Sequence, residues 1–265
     1  MKRFFTVFTW FFSIFVFPFV NMQFIHSSFA EVADVKRKDI ELIVKNYLLS
    51  HPEILLEVSQ ILQQKQQEVF QKKIQDSIKR YSNQLFVDDL STVGNHNGTV
   101  TLVEFFDYQC VHCKKMNRII NSLISKNHNL KVVYKEFPIF GKISNFASRI
   151  SLASSFQGRY KNIHDILMDF HGKLNGRMIV NIARLSGVDL FQLRKDIRNN
   201  SISKDLDINR NLADKLHLMG TPAFIIASTT SSGKLKYDSK HIPVFIPGFV
   251  SENILQKLIE KFSLI

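Results

Sequence analysis

The sequence predicts an α/β protein in which an N-terminal helical segment precedes a central sheet, and a block of helices interrupts that sheet. Nearly continuous apolar runs at 100–106 and 130–137 indicate buried strands. They flank a helical pattern at 114–126, which makes a β-α-β unit. The pattern is helical from 144 to about 218, and a strand pattern returns at 223–227. These observations together define the fold class.

The N-terminus has the pattern of an export signal. Lys2 and Arg3 precede an uncharged run at 4–20 that is rich in Phe, Val and Ile. Ser28 and Ala30 are small residues at the −3 and −1 positions of a peptidase site, so we expect cleavage after Ala30, a signal peptide over 1–30 and a periplasmic protein. The alternative is an uncleaved membrane anchor, because the apolar run approaches the ~20 residues that span a bilayer.

A helical segment follows the signal. From about 35 to 86 the sequence contains no Gly and has a helical apolar period. Ser50 and Glu53 form a capping-box pattern, so the first helix ends near Ser50 and a second begins there. The apolar stripe thins beyond Leu62, and so sparse a helix must pack on the rest of the protein or on a second copy. A solvated spacer helix is the alternative.

The polar stretch at 88–98 contains a strong turn signal and marks a domain boundary. We therefore predict an N-terminal helical segment at 31–93 and a second domain at 94–265. Within that domain we expect a helical insertion at about 144–217, a short strand at 244–246 and a last helix at 251–262.

The charge of the chain gives little support to nucleic-acid binding. The formal net charge is +12, but Lys and Arg are scattered and no segment interleaves them with aromatic residues. A basic envelope protein, attracted to anionic membrane surfaces at most, fits this composition. We therefore expect no nucleic-acid partner.

The two cysteines, Cys110 and Cys113, carry the clearest functional signal. A bridge between them would close so short a loop that it would hardly constrain the unfolded chain, so stability is a poor reason for it. A zinc site would need two more ligands with suitable spacing, and no further cysteine exists. The pair therefore indicates a redox dithiol, for which neither metal nor cofactor is expected.

The position of the pair assigns different roles to the two sulfurs. Cys110 stands at the start of the predicted helix, where free N–H groups and the helix dipole stabilise a thiolate, so we expect it to be the nucleophile. Cys113, one turn further, is expected to be the resolving thiol. His112 can add positive charge or a hydrogen bond to the thiolate, although a solvated loop histidine is the alternative.

Glu104 is the one charged residue of the first strand, and it lies on the same face as Leu102 and Phe106. A buried acid there could exchange a proton with Cys113. An ion pair with Lys135 of the neighbouring strand is the other interpretation.

Thr221 and Pro222 directly precede a strand. A proline there cannot donate a hydrogen bond to a ladder. A cis peptide would bring the Thr221 backbone beside the dithiol, where it could pair with an extended substrate. From the sequence alone the trans form remains the default.

With Glu104 six residues before Cys110, the Cys-x-His-Cys pair, the helical interruption and the Thr-Pro before a strand, the stretch from about 99 to 262 resembles the DsbA family of periplasmic thiol-disulfide oxidoreductases. The resemblance implies a thioredoxin-like sheet with an inserted helical domain. It also implies that Cys110 is the exposed nucleophile, that Glu104 is the buried acid and that Thr221-Pro222 is the family's cis-proline element, which contacts substrate.

Two features depart from the best-known DsbA proteins. The central dipeptide is Val111-His112 where those members have Pro-His, and Thr221 before the proline looks more like the disulfide isomerases of the DsbC kind. The helical segment at 31–93 is a further difference. Isomerases of the DsbC kind dimerise through N-terminal segments, so we expect a homodimer and isomerase work in addition to oxidation.

The resemblance implies an enzyme whose substrates are exported proteins with thiol groups, and a membrane redox partner that resets the dithiol. An oxidase partner would keep the pair as a disulfide, whereas a reductase would keep it as a dithiol. The alternative is a dimeric envelope chaperone or surface-associated binding protein that uses the thioredoxin fold as a scaffold.

Overall fold

The structure, a computed structural model, describes residues 23–87 and 90–264, with side chains from residue 36 onward. The predicted signal run at 4–20 lies outside these residues. The chain divides into two compact units, one up to Gln66 and one from Gln67 to the C-terminus. None of the described helices combines the length and the apolar character needed to span a bilayer.

The first unit consists of helix α1 (Gln23–Ser50) and the first half of helix α2 (Glu53–Arg80). The helix break at 51–52 was predicted, but the capping role of Ser50 was wrong. Its hydroxyl donates to the carbonyl oxygens of Asn46 (2.8 Å) and Tyr47 (3.1 Å), so it bonds back to α1 and does not cap α2. Many apolar side chains of this unit are exposed, among them Ile40, Ile43, Val44, Tyr47, Leu49, Leu56, Val58, Ile61 and Leu62.

The second unit is a five-stranded sheet covered by helices. Its elements after α2 are α3 (Ser82–Phe86), β1 (Thr92–Gly94), β2 (Val100–Phe106), α4 (Val111–Lys126), β3 (Leu130–Glu136), α5 (Lys142–Ser155), α6 (Tyr160–Asp169), α7 (Gly176–Leu185), α8 (Leu190–Asp196), α9 (Asn200–Lys215), β4 (Ala223–Ser228), β5 (Val244–Pro247) and α10 (Glu252–Ser263). The strand order is β1-β3-β2-β4-β5. β2 and β3 are parallel, as the β-α-β unit requires, and the other neighbours are antiparallel. The thioredoxin-like sheet with a helical insertion, α5 to α9, is confirmed.

The central strands β2, β3 and β4 are buried throughout, because helices cover both faces of the sheet. One face holds the larger core, with Leu102 and Phe106 of β2 packed under α4, the insertion and α10. The opposite face holds Val103 and Phe105 of β2. Alternate residues of one strand therefore serve two separate cores.

The second half of α2 belongs to the core of the sheet domain. Ile74 and Ile78 are fully buried in the same cluster as Val103 and Phe105, and each buried side chain of this size stabilises the fold by about 1.5–3 kcal/mol. The compact unit consequently begins at Gln67, earlier than the predicted boundary at 94. The edge strand β1, whose Gly94 pairs with Lys131, also lies across that boundary.

Candidate active site

Cys110 is the N-cap of α4, and its position depends on a rigid loop between β2 and that helix. The Asp107 carboxylate organises this loop: it accepts hydrogen bonds from the backbone N–H groups of Gln109 (2.7 Å), Ile139 (2.8 Å) and Phe140 (3.0 Å), and from the hydroxyl of Ser144 (2.6 Å). The Cys110 N–H in turn donates to the Asp107 carbonyl oxygen at 3.0 Å. The start of the helix is thereby tied to the segment after β3 and to α5.

Both cysteines are free thiols, and their sulfurs have different surroundings. The backbone N–H of Cys113 donates to Cys110 Sγ at 3.2 Å, so the sulfur takes the place of an oxygen N-cap. Cys110 Sγ also donates to the carbonyl oxygen of Thr221 at 3.3 Å. Cys110 is 4% exposed and Cys113 fully buried, which corrects the expectation of an exposed nucleophile: Cys110 is only the more accessible of two buried thiols.

These surroundings move the pKa values of the two thiols in opposite directions. A hydrogen bond with the Cys113 thiol lowers the pKa of Cys110 from 9.0 to about 6 against the opposing effect of burial, with further lowering by Thr221 and by the backbone N–H groups of Cys113 and His112. Burial raises the pKa of Cys113 far above its ordinary value, and the hydrogen bond with Cys110 and the charge of Glu104 raise it further. At neutral pH the pair of thiols therefore loses one proton, and the negative charge resides on Cys110.

His112 is exposed, and its ring centroid lies 6.2 Å from that of Phe249. Its contribution to the lowered pKa of Cys110 comes from the backbone N–H. That contribution belongs to the position at the start of α4, and any residue with a backbone N–H, that is any except proline, would make it. A tuning role of the imidazole stays a prediction.

Glu104 is buried on the sheet face that carries Leu102 and Phe106. Its in-register neighbour on β3 is Tyr134, whereas Lys135 is paired with Phe105, whose side chain is on the opposite face. Within the described part of the chain neither carboxyl oxygen of Glu104 has a hydrogen-bond partner. The ion pair with Lys135 was therefore a wrong interpretation.

Burial raises the pKa of the Glu104 carboxyl well above its ordinary value, and the charges of Cys110 and Glu136 raise it further. Glu104 also acts on the second thiol, since the charge of Glu104 raises the pKa of Cys113. Glu104 is thus coupled to the dithiol across the sheet face and can hold a proton there.

The peptide bond between Thr221 and Pro222 is cis. This segment enters β4 directly beside the dithiol, with the Thr221 carbonyl oxygen against Cys110 Sγ. The hydroxyl of Thr221 is buried, and the Thr221 side chain favours the Cys110 thiolate and so lowers the pKa of that thiol. The sequence therefore brings five of its six predicted site residues, Glu104, Cys110, Cys113, Thr221 and Pro222, around one sulfur pair, while His112 points its ring to the surface.

Sequence reasoning missed a buried polar cluster behind the site. The Glu136 carboxylate accepts hydrogen bonds from the hydroxyls of Tyr108 (2.9 Å) and Tyr160 (3.0 Å), and Tyr108 Oη lies 3.2 Å from Nδ1 of His164. The only sequence signal was an acid at the end of a buried strand. The helical insertion brings the other members from distant positions, which periodicity alone does not reveal.

A mostly apolar groove of about 740 Å³ opens beside Cys110, between α4 and the segment after α6. Its lining includes Val111, Ile119 and Phe170 with the basic residues Lys115 and Arg118. No cluster of three or more His, Cys, Asp or Glu side chains suited to a metal ion is found within residues 23–87 and 90–264.

A thioredoxin-like sheet with a Cys-x-x-Cys pair at the start of a helix and a proline segment against the first sulfur defines the class of thiol-disulfide oxidoreductases. The model of the DsbA-like thioredoxin domain matches residues 101–242, more than half of the chain. The chain belongs to this family. The model of the N-terminal domain of the copper resistance protein ScsC matches residues 37–68.

Solved structures agree with this assignment. A thioredoxin-like oxidoreductase from Silicibacter pomeroyi is 33% identical, with a TM-score of 0.60 over 69% of this chain and 98% of that chain. BcfH from Salmonella enterica Typhimurium is 29% identical, with a TM-score of 0.72 over 88% of this chain and 98% of that chain. The thiol-disulfide exchange protein α-DsbA2 from Wolbachia pipientis is 25% identical, with a TM-score of 0.60 over 71% and 95%. All three comparisons cover more of the chain than the family match at 101–242.

Among curated proteins, a Na⁺/H⁺ antiporter NhaA 1 from Salinispora arenicola is 23% identical over 152 residues. The match covers 55% of this chain and 23% of that protein. This chain therefore spans about a quarter of the length of that relative.

Proposed function

We propose that the protein is a periplasmic thiol-disulfide oxidoreductase that forms and isomerises disulfides in exported proteins through Cys110-Val111-His112-Cys113. The observation that carries the proposal is the asymmetric position of the two thiols: Cys110 Sγ accepts from the backbone N–H of Cys113 at the start of α4, whereas Cys113 is fully buried. These positions favour the thiolate at Cys110 and the protonated thiol at Cys113. A thiolate is the nucleophile and the good leaving group of disulfide exchange, so Cys110 forms the mixed disulfide.

In oxidation, a substrate thiolate attacks Cys110 Sγ of the Cys110–Cys113 disulfide. The substrate–Cys110 bond forms, the Cys110–Cys113 bond breaks, and the electron pair stays on the Cys113 sulfur. Glu104 supplies the proton that this sulfur needs, because a protonated carboxyl is favoured in its buried position. A second substrate thiolate then releases Cys110 as a thiolate, which leaves the substrate with a disulfide and the protein with two reduced cysteines.

In isomerisation, the reduced Cys110 attacks a non-native substrate disulfide, and a different substrate thiolate later displaces it, without net oxidation. Thr221 and Pro222 support substrate binding in both directions, because the Thr221 carbonyl oxygen lies beside the reacting sulfur. The backbone there can pair with an extended substrate segment. His112 is expected to stabilise the thiolate through its imidazole. Replacement of His112 with alanine separates this contribution from that of its backbone N–H.

The central test is oxidation of a reduced dithiol peptide and refolding of a scrambled disulfide protein by the purified chain. The Cys110→Ser variant is expected to lose both activities, and Cys113→Ser is expected to accumulate a mixed disulfide at Cys110. Ser125→Ala, on the same helix but away from the sulfurs, serves as the control. Full activity of the Cys110→Ser variant would contradict the proposal.

The direction of the reaction depends on a membrane redox partner that resets the dithiol. We infer that an oxidising partner maintains the disulfide for oxidation, whereas a reducing partner maintains the dithiol for isomerisation. Rapid acid trapping of cells followed by thiol alkylation reports the state of Cys110 and Cys113. A mostly oxidised pair supports oxidase work, and a mostly reduced pair supports isomerase work. Alkylation of the pair in spheroplasts by a reagent that does not cross the inner membrane tests the periplasmic location.

We infer that the first unit serves for self-association, as a homodimer. The exposed apolar side chains at 40–62 support this, because such surfaces on soluble proteins mark interaction sites. Light scattering of the chain without residues 1–30 is expected to give twice the monomer mass. A monomer would contradict the homodimer.

The same exposed surface favours a second candidate function, that of an envelope chaperone in which the thioredoxin fold is a scaffold. Suppression of aggregation of an unfolded protein without cysteines tests it. If the variant with both Cys110→Ser and Cys113→Ser keeps the whole biological effect, the chaperone is the function. If that variant loses the effect, the oxidoreductase is.

A further inference from the structure

Glu136 occupies a fixed position between the sheet and the insertion. Its carboxyl group accepts from the hydroxyls of Tyr108 and Tyr160, and the side-chain amide of Asn209 donates to its backbone carbonyl oxygen at 3.3 Å. The second carboxyl oxygen, Oε2, is buried with no hydrogen-bond partner among the described residues. Two hydroxyl donors on one oxygen and none on the other are consistent with a carboxyl that can be protonated at Oε2.

His164 does not supply a positive charge that would balance the negative charge of Glu136. Its ring is packed among Phe106, Tyr108, Tyr134 and Tyr160, with centroid distances of 4.1 to 5.7 Å. Burial lowers the pKa of this histidine to about 3, so it is neutral at physiological pH. Within the described part of the chain, the hydrogen-bond donors to the Glu136 carboxyl are two neutral hydroxyls and not a cation that would hold it permanently ionised.

Glu136 and Glu104 lie on the same face of the sheet. β2 and β3 are parallel, Glu104 is in register with Tyr134, and Glu136 follows Tyr134 by two residues. A strand repeats its side-chain direction every two residues, so the two acids are diagonal neighbours on one buried face. Ionisation of one acid at such a position makes ionisation of the other less favourable, because the buried surroundings screen the repulsion poorly.

The other polar and titratable groups around Glu136 belong to the loop after β2, to β3 and to helices α5, α6 and α9. They are Asp107 and Tyr108 in the loop after β2, Tyr134 on β3, Ser148 on α5, Tyr160 and His164 on α6, and Asn209 on α9. Burial raises the pKa of Glu136 to about 8, and the charge of Asp107 adds to this effect, while the nearby hydroxyls of Ser148, Tyr108 and Tyr160 act in the opposite direction. Glu136 consequently changes charge within the range where thiol exchange operates.

We propose that Glu136 is a positioning residue for disulfide exchange, whose charge controls when Glu104 can accept the proton of Cys113. The inference rests on the proposed function, because it acts through Glu104. In the resolving step the Cys113 sulfur attacks Cys110 Sγ of a mixed disulfide. The Cys110–Cys113 bond forms, the bond from Cys110 to the substrate sulfur breaks, and the substrate leaves as a thiolate. The proton of Cys113 passes to the Glu104 carboxylate.

The sign of the effect follows from the repulsion between the two acids. An ionised Glu136 makes ionisation of Glu104 less favourable, so Glu104 accepts the proton of Cys113 only at higher pH. Glu136→Gln removes this charge and keeps an oxygen that can accept from Tyr108 and Tyr160. The pH at which resolution accelerates should therefore move down.

The test follows resolution with oxidised glutathione as the probe. The reduced protein reacts with it, samples are quenched in acid, and mass spectrometry measures the glutathionylated and disulfide forms between pH 5 and 10. For E136Q we expect the midpoint of the resolution rate to shift to lower pH, with resolution about threefold faster one pH unit below the wild-type midpoint. The rate of the first step, glutathionylation of Cys110, should change little.

Three further variants distinguish a proton-controlling role from a structural one. In E104Q the rate of resolution should no longer rise with pH in this way. The double variant E104Q/E136Q should have the same pH profile as E104Q. Y160F, which removes one donor and keeps the ring, should shift the midpoint in the same direction as E136Q. E252Q, which removes the charge of a partly buried acid on α10, should leave the profile unchanged.

The inference would be overturned if the pH profile of the resolution rate in E136Q were unshifted, or if the rate were lowered equally at all pH values. Either result would leave the proposed function intact. If E136Q does not fold, an unshifted Y160F profile would overturn the inference. A wild-type profile in E104Q would instead refute the role of Glu104 itself.

Discussion

Replacing Cys113 with alanine should raise the pKa of the Cys110 thiol from about 6 toward 9.0, because the hydrogen bond with the Cys113 thiol is the largest cause of the lowered value. The Cys113→Ala variant keeps the backbone N–H that lies 3.2 Å from Cys110 Sγ. It therefore separates the effect of the second thiol from the effect of the helix start. The pKa should rise clearly without reaching the ordinary value.

The magnitude follows from the pKa difference. A fall from 9.0 to about 6 corresponds to about 4 kcal/mol in favour of the folded thiolate at pH values above 9. Because the folded pKa is depressed, this stabilisation is present above the unfolded pKa and is lost as the pH falls through 6. At pH 7, one unit above the folded pKa, the reduced protein retains about 1.4 kcal/mol of it. The disulfide form has no thiolate and gains nothing.

The assay is absorbance of the thiolate near 240 nm during a pH titration, combined with urea denaturation of the reduced protein at pH 5 and pH 8. The wild type should titrate near pH 6 and gain stability between these pH values, by about 2.6 kcal/mol from this group. Cys113→Ala should titrate higher and gain less. Val111→Ala, at an exposed neighbour on the same turn, should titrate as the wild type does. A wild-type midpoint near 9, or equal midpoints in wild type and Cys113→Ala, would refute the reasoning.

Three other predictions concern the scaffold. Ile78→Ala should lower the free energy of unfolding by about 2–5 kcal/mol in urea denaturation, because this side chain is fully buried under the sheet; an effect below ~0.5 kcal/mol would contradict the packing of α2 on the domain. His164→Phe should flatten the acid side of the stability profile. The unfolded histidine binds a proton below about pH 6.5 while the folded one, with a pKa of about 3, does not, so the wild type should lose about 2.3 kcal/mol between pH 6.5 and 4.5 that the variant keeps. Gly233→Ala should destabilise, since its Cβ would lie 2.4 Å from the backbone oxygen of Phe86, whereas Gly158→Ala, with a similar positive φ and open space, should cost only the strain of about 1 kcal/mol; equal thermal unfolding midpoints for the two would refute the steric reasoning.

The sequence predicted those parts of the fold that depend on local periodicity. The strand at 100–106 was found with the predicted bounds, and the helical insertion was found at 142–215 because each of its helices has its own apolar stripe. The edge strand β1 was missed, since it has only three residues and ends at Gly94 in a turn-forming sequence. The domain boundary was displaced for a different reason: the side chains of Ile74 and Ile78 look like a sparse stripe, and their burial depends on the sheet domain.

The candidate site was predictable where a residue's position on its own element fixes its surroundings. Cys110 at a helix start and Glu104 on one strand face follow from local geometry. The carbonyl of Thr221 against Cys110 and the tyrosines on Glu136 depend on contacts between segments that are far apart in the chain, which one sequence does not reveal. The ion pair with Lys135 failed because parallel register places that lysine one residue away from the neighbour of Glu104, and so on the other face.

The raised pKa of Glu104 gains its meaning from the raised pKa of Cys113. A thiol whose proton is held so strongly is a poor leaving group, so opening of the Cys110–Cys113 disulfide would be slow unless an acid protonated the departing sulfur. Glu104 is buried on the same sheet face and favours its protonated form, which suits it to that task. In the reverse direction the same carboxyl, once ionised, is a stronger base than an exposed glutamate would be. A salt-bridged Glu104 would be too weak an acid and too weak a base for either step, because a cation would hold it ionised. In the proposed mechanism, the lack of a hydrogen-bond partner for this carboxyl among the described residues is therefore what lets one residue serve both directions of exchange.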